Sequence, residues 1–297
     1  NVESEGELDV LSEVAQQAGR RARISLRVNP DVDAGTHPYI STGLKGNKFG
    51  IAHGDAVRAY QRAASLPGLI VQGIDCHIGS QITEIAPYLD ALDRLLDLVD
   101  VIEGCGIPIS HLDLGGGLGI TYSTETPPDA EALMSALLAR IDARGHGHRK
   151  ILIEPGRSLV GNAGVLVSEV LYLKPGAERN FCVVDAAMND LMRPALYDAW
   201  MDIVACEMRS ISPIKYDVVG PICESGDWLG RDRVMSMVPG DFIAVLSAGA
   251  YCMSMASNYN SRGRAAEVIV SGSHSWVVRD RERTDDLFQG ERLIPSS

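Results

Sequence analysis

Along the first half of the chain, short apolar runs alternate with longer stretches in which apolar positions recur every three to four residues. The short runs, at 24–28, 69–78, 111–114 and 151–153, are predicted strands spaced roughly forty residues apart. The longer stretches, at 54–65, 84–103 and 129–144, are predicted helices, and 84–103 carries Leu89, Leu92, Leu95, Leu96 and Val99 on one stripe. A further helix near the amino end carries Leu8, Leu11, Val14 and Ala15. Pro127, Pro128 and Asp129 announce the helix at 129–144, since proline suits a first helical turn and an acid suits its positive end. Repeated βα units imply a parallel sheet. Beyond about Gly161 the period changes to two, in runs at 165–173, 181–185, 216–219, 241–246 and 267–270 separated by turn residues such as Pro175-Gly176 and Pro239-Gly240. The expected organisation is an α/β domain over 1–160 and a mainly antiparallel β domain over 161–297.

Each of the four first-half strands runs into polar or glycine residues: Asn29-Pro30, Cys76-His77-Ile78-Gly79-Ser80, Gly115-Gly116-Gly117 and Glu154-Pro155-Gly156-Arg157. In βα architectures ligands bind at the carboxyl ends of the strands, so these four ends are expected to face one site. Four units, or five if a strand precedes Asn1, do not close an eight-stranded barrel. Either the sheet is open or the chain enters a barrel part-way round.

Composition narrows the class. The chain has 297 residues, 45% apolar and 22% charged, and 27 basic against 39 acidic side chains give a net charge of −12. A chain this acidic, without a local basic patch, is not expected to bind nucleic acid. No apolar run approaches the roughly 18 to 20 residues of a membrane span, and no basic-then-apolar leader opens the chain, so a cytoplasmic protein without a membrane partner is expected. Cys76, Cys105, Cys182, Cys206, Cys223 and Cys252 form no C-x-x-C pair, which argues for reduced thiols and against zinc; no metal is expected.

Four segments carry candidate chemistry. Gly115-Gly116-Gly117 is either a tight turn or a loop whose bare N–H groups cradle a phosphate. Glu154 and Arg157 at one strand end form either a structural ion pair around a buried glutamate, or a carboxylate held against a protonated heterocyclic nitrogen with a guanidinium ready for anions. His77 is either a satisfied core histidine or a ring-stacking group. Cys223-Glu224 follows Gly220-Pro221 in a polar turn; an adjacent acid tends to raise a thiol's pKa, which suits a proton donor better than a nucleophile.

Together these segments resemble the alanine-racemase-like (fold-type III) pyridoxal-phosphate enzymes, and within them the diaminopimelate decarboxylases. The resemblance runs through Asn29-Pro30, the segment 37–43 (His-Pro-Tyr-Ile-Ser-Thr-Gly), Lys48-Phe49-Gly50-Ile51, His77 to Gln81, Gly115 to Gly117, Glu154 to Arg157, Cys223 to Asp227, Gly249-Ala250-Tyr251 and Ser257 to Asn260. It implies a (β/α)8 barrel followed by the β domain, pyridoxal 5'-phosphate as cofactor, and decarboxylation of meso-2,6-diaminopimelate to L-lysine, the last step of lysine biosynthesis. It also implies a homodimer whose subunits share their active sites. His77 would stack on the cofactor ring. Ser80, Gly116, Gly117, Gly156, Arg157 and Tyr251 would hold its phosphate, and Glu154 would pair with the pyridine nitrogen and keep it protonated. Arg157, Arg193 and Tyr197 would bind the substrate's distal carboxylate, Glu224 its distal ammonium, and Cys223, reaching across the dimer, would protonate the α-carbon. Tyr251 would also bind the substrate. Arg193 could instead be a surface charge, since Pro194 weakens the case for a regular helix; Asp185 and Asn189 are either turn formers or site residues.

One departure stands out. These enzymes carry the cofactor on a lysine in a first-strand segment resembling Tyr-Ala-any-Lys-Ala, and no segment of this chain matches it; Lys45 and Lys48 are not assigned that role. The chain is expected to enter the family's barrel near its fourth unit, with the lysine carried by the intact parent protein. A smaller departure is Cys252-Met253 after Tyr251, where the family more often has glycine and phenylalanine. The alternatives are another decarboxylase of this fold (for ornithine, arginine or carboxynorspermidine), a racemase, or a lysine-less regulatory homologue.

Overall fold

A computed structural model of the chain describes residues 1–33 and 48–295. The resemblance segment 37–43 and Lys45 lie outside the described residues. The chain divides into two compact units: Asn1–Thr121 with Glu125–Leu159, and Tyr122–Thr124 with Val160–Ser297.

In the first unit, α1 (Glu5–Gln17), β1 (Ala22–Asn29), β2 (Ile51–Ala52), α2 (Ala56–Ser65), β3 (Leu69–Asp75), α3 (Ala86–Gly104), β4 (His111–Asp113), α4 (Ala130–Ala143) and β5 (Lys150–Leu152) follow one another. The sheet has the order β2-β1-β3-β4-β5, with every pairing parallel. One face of its centre is apolar and packed by helices, whereas the other carries Ser25, Arg27, Asp75, His111 and Asp113 in register. Leu26, Ile74 and Leu112 from the strands pack with Leu8 of α1, Tyr60 of α2, Leu92, Leu95, Leu96 and Val99 of α3, and Leu137 and Ile141 of α4, all in one buried cluster. Leu8 and Ala15 are the buried face of α1, whereas Val14 is 54% exposed, one position off that face. Asp129 is the N-cap of α4, accepting the Ala132 N–H at 2.7 Å, so Pro127 and Pro128 lie before the helix instead of in its first turn.

In the second unit, β6 (Leu166–Lys174), β7 (Phe181–Val184), β8 (Ile203–Ala205), β9 (Ile214–Val219), β10 (Trp228–Met235) and β11 (Phe242–Val245) form one sheet, ordered β10-β9-β7-β6-β11-β8. All its pairings are antiparallel except β7 with β9. β12 (Glu267–Ser271) and β13 (His274–Arg279) make a separate hairpin. The period-two reading missed β8, β10 and β13. β8 is only three residues long, and β10 contains a bulge between Gly230 and Arg233, with Asp232 at φ 55°, which destroys the alternation. Two short helices carry residues of interest: α5 (Arg157–Val160), which follows β5, and α6 (Arg193–Tyr197).

Candidate active site

The carboxyl ends of β3, β4 and β5 are laced together beyond the strands themselves. Cys76 N–H donates to Asp113 O at 3.1 Å, Leu114 N–H to Leu152 O at 3.0 Å and Glu154 N–H to Gly115 O at 2.8 Å. The glycine loop threads between the neighbouring strand ends with no room for side chains. A Cβ on Gly116 would lie 2.1 Å from Glu154 O, and one on Gly117, whose φ is +98°, would lie 2.2 Å from Gly79 O. Such a close-packed glycine loop beside a buried guanidinium is a fitting receptor for a phosphate. The guanidinium is that of Arg157, the first residue of α5, 5% exposed, donating from Nη2 to Ser80 Oγ at 2.8 Å.

His77 joins this cradle through its ring. Its Nδ1 accepts the Gly116 N–H at 3.1 Å, which directs the remaining ring proton to Nε2. Burial, with the Arg27 charge second, pushes the imidazole below its ordinary pKa, which favours the neutral ring.

Glu154 is solvent-exposed among the described residues, not buried as the sequence suggested. Its carboxylate shares a small space with those of Asp75 and Asp113, one oxygen of each lying within 4.8 Å of the others. Register explains the cluster: Asp75 is paired with Asp113 in the parallel ladder, and in-register residues project to one side. Asn1 Nδ2 donates to Asp113 Oδ2 at 3.3 Å and to Glu154 Oε1 at 3.4 Å, and Asp113 Oδ1 accepts the Gly115 N–H at 3.1 Å. Asp75 is 2% exposed, and its Oδ1 has no hydrogen-bond partner among the described residues. Burial first, then the Asp113 and Glu154 carboxylates, raise its pKa to about 7. Glu154 is raised as well, by desolvation and by Asp113. The acids at 75 and 113 escaped the sequence reading, although an acid closing each of two apolar runs was a signal for them.

In the second unit α6 forms with Pro194 in its first turn, where a missing N–H costs nothing. Arg193 is not a surface charge: it is 6% exposed, its guanidinium carbon 4.4 Å over the Tyr122 ring, and half-buried Tyr197 lies one turn further on. Cys223 and Glu224 are both exposed, in the loop between β9 and β10. Tyr251 sits at φ 58°, and the Cys252 that follows it is buried, its thiol donating to Asp190 O at 3.3 Å. Asp185 and Asn189 act as loop ties. Asp185 Oδ1 accepts from Ser168 Oγ and Glu169 N, and Asn189, fully buried, bonds Ser257 O and the Arg262 guanidinium.

Residues 1–161 match the model of the pyridoxal-dependent decarboxylase family, pyridoxal binding domain. The diaminopimelate decarboxylase of Pseudomonas aeruginosa is 57% identical over 99% of this chain and 70% of its own length. The crystal structure of the Helicobacter pylori diaminopimelate decarboxylase complexed with L-lysine aligns with a TM-score of 0.91 at 39% identity, covering 97% of this chain and 72% of that one. The M. jannaschii diaminopimelate decarboxylase, also in complex with L-lysine, aligns at 0.92 and 38%, covering 99% and 69%. The fold is thus that of the alanine-racemase-like pyridoxal enzymes, and the chain belongs to the diaminopimelate decarboxylase family, pyridoxal-phosphate-dependent carboxy-lyases that form lysine.

Proposed function

We propose that, in the intact protein, the strand-end residues of the first unit hold pyridoxal 5'-phosphate and that residues of the second unit bind meso-2,6-diaminopimelate and supply the proton that completes its decarboxylation. The observation that carries this reading is the constellation of His77 on Gly116, Arg157 on Ser80 and the Glu154 carboxylate around one glycine cradle. Gly116, Gly117 and Gly156, with Ser80, Arg157 and Tyr251, would take the phosphate, the Gly116 N–H leaving His77 Nδ1 for it, and His77 would lie against the ring. When bound, the cofactor draws electrons from the substrate's α-carbon as CO₂ leaves. The Glu154 carboxylate would pair with the ring nitrogen and keep it in the protonated state on which that withdrawal depends.

On the substrate, Arg157, Arg193 and Tyr197 would bind the distal carboxylate, guanidinium planes matching its geometry. Glu224 would take the distal ammonium, and Cys223 Sγ would give its proton to the α-carbon after CO₂ has left. The exposure of Cys223 and Glu224 on one loop suits residues offered to a second copy's site, so we propose a homodimer with shared sites. No helix among the described residues is long and apolar enough to cross a membrane. With the acidic composition and unpaired cysteine pattern, that fits a cytoplasmic setting. The test is to incubate the intact protein and cofactor with diaminopimelate, ornithine and arginine separately, following CO₂ and lysine. CO₂ and lysine from diaminopimelate are expected; release from ornithine or arginine but not from diaminopimelate would overturn the reading.

A further inference from the structure

Tyr259 belongs to a motif, Ser257-Asn258-Tyr259-Asn260, for which the reading above has no use. Its phenol donates to Glu224 Oε2 at 2.5 Å across 35 positions of sequence. Both ends of this bond are anchored to the same place. The loop bearing Glu224 is closed by Asp227, 3% exposed, whose carboxylate accepts the N–H of Ile222 at 2.8 Å and that of Met188 at 2.7 Å. The loop bearing Tyr259 is fixed to the adjacent Asn189 by a reciprocal pair, Ser257 N to Asn189 O at 2.9 Å and Asn189 Nδ2 to Ser257 O at 3.2 Å. Met188 and Asn189 therefore form one buried root for both loops, and the phenol–carboxylate bond braces them at their tips. On the other side of Glu224, a Cβ at residue 226 would approach Oε1 to 3.2 Å, so glycine there leaves that second oxygen room.

We propose that Tyr259 is a positioning residue that presets the Glu224 carboxylate for the distal ammonium of the substrate, and so helps the site choose a diamino diacid over an amino diacid. This rests on the assignment of Glu224 made above. A carboxylate on a two-loop tip must otherwise give up rotamer freedom when the ammonium arrives; the phenol occupies Oε2 in advance and leaves Oε1 for the ligand.

The intact, cofactor-loaded enzyme is compared with Tyr259→Phe, Glu224→Gln and the double variant, on diaminopimelate and on 2-aminopimelate, which lacks the distal amine. L-Lysine, which keeps that amine, serves as a calorimetric probe of binding. Tyr259→Phe is expected to raise KM for diaminopimelate and Kd for lysine about tenfold, as loss of one charge-assisted hydrogen bond should. Its kcat, its kinetics on 2-aminopimelate and its thermal midpoint should stay near those of the parent, and the double variant should bind no more weakly than Glu224→Gln. If Glu224→Gln weakens lysine and Tyr259→Phe does not, the role of Tyr259 falls while that of Glu224 stands. If Glu224→Gln itself leaves KM, Kd and the preference for diaminopimelate unchanged, both fall. Equal losses on the two substrates in Tyr259→Phe would mark a general structural role and also overturn the proposal.

Discussion

Asp75 offers the sharpest physical test of the site, because replacing it with asparagine should make the protein more stable, and only above a defined pH. The side chain is 2% exposed, faces Asp113 and Glu154, and has one oxygen without a partner among the described residues. Its pKa rises from 3.8 to about 7 on folding. The sign follows from proton binding. Below about pH 4 both folded and unfolded chains hold the proton and the group contributes nothing. Between about pH 4 and 7 the folded chain keeps a proton that the unfolded chain has released, so stability falls by about 1.4 kcal/mol per pH unit. Across roughly three units the cost reaches about 4 kcal/mol, and above pH 7 it is constant. Asparagine keeps the shape and removes the titration. Urea unfolding of parent and Asp75→Asn at pH 4, 5.5, 7 and 8 should therefore show curves that coincide at pH 4 and separate to a few kcal/mol by pH 7, the variant being the more stable. A variant less stable than the parent at pH 8 would mean that the ionised Asp75 is paired in the folded chain, and the account of the carboxylate cluster would be wrong.

Two further outcomes follow from the site. Cys223→Ala should lower kcat about a hundredfold with KM for diaminopimelate little changed, since a positioned general acid is lost without a binding contact, and an unchanged kcat would give the proton to another group. Gly116→Ala brings a Cβ to 2.1 Å from Glu154 O, so the cradle must open; a loss of pyridoxal-phosphate affinity in fluorescence titration, with about 1–3 kcal/mol of stability, is expected, and full retention of both would show that the loop yields freely.

The elements visible in the sequence were those whose own residues decide them. The stripe of α3, from Leu89 to Val99, reads as a helix because apolar residues at that spacing have only one way to bury together, and Leu92, Leu95, Leu96 and Val99 are each at most 1% exposed. β3, β4 and β5 were legible as apolar runs between glycine and polar punctuation, with ends shifted by one to three residues. β10 was not, because its bulge and the left-handed Asp232 are responses to pairing with β9 and leave no period of their own.

The site divides along the same line. His77, the glycine run and Arg157 announce themselves because the phosphate cradle proposed for them needs particular residue types at consecutive positions, and that demand is local. The carboxylate cluster is one step less local. Asp75 and Asp113 are separated by 38 positions in sequence, and only the register that pairs Gly73 with His111 and Ile74 with Leu112 brings them side by side. Yet that register was recoverable in outline. In a parallel sheet whose strands all end at one rim, the last inward residue of each strand must meet its neighbours there, so an acid closing two adjacent apolar runs implies two acids in contact. Tyr259 and Glu224 have no such rule: the bond depends on where two loops are rooted, at Met188 and Asn189, and nothing in either loop's own residues specifies the other. Residues that bind a cofactor common to many reactions can thus be found from spacing along the chain, whereas the contact argued to tune this site to one substrate becomes visible only when the loops are seen together.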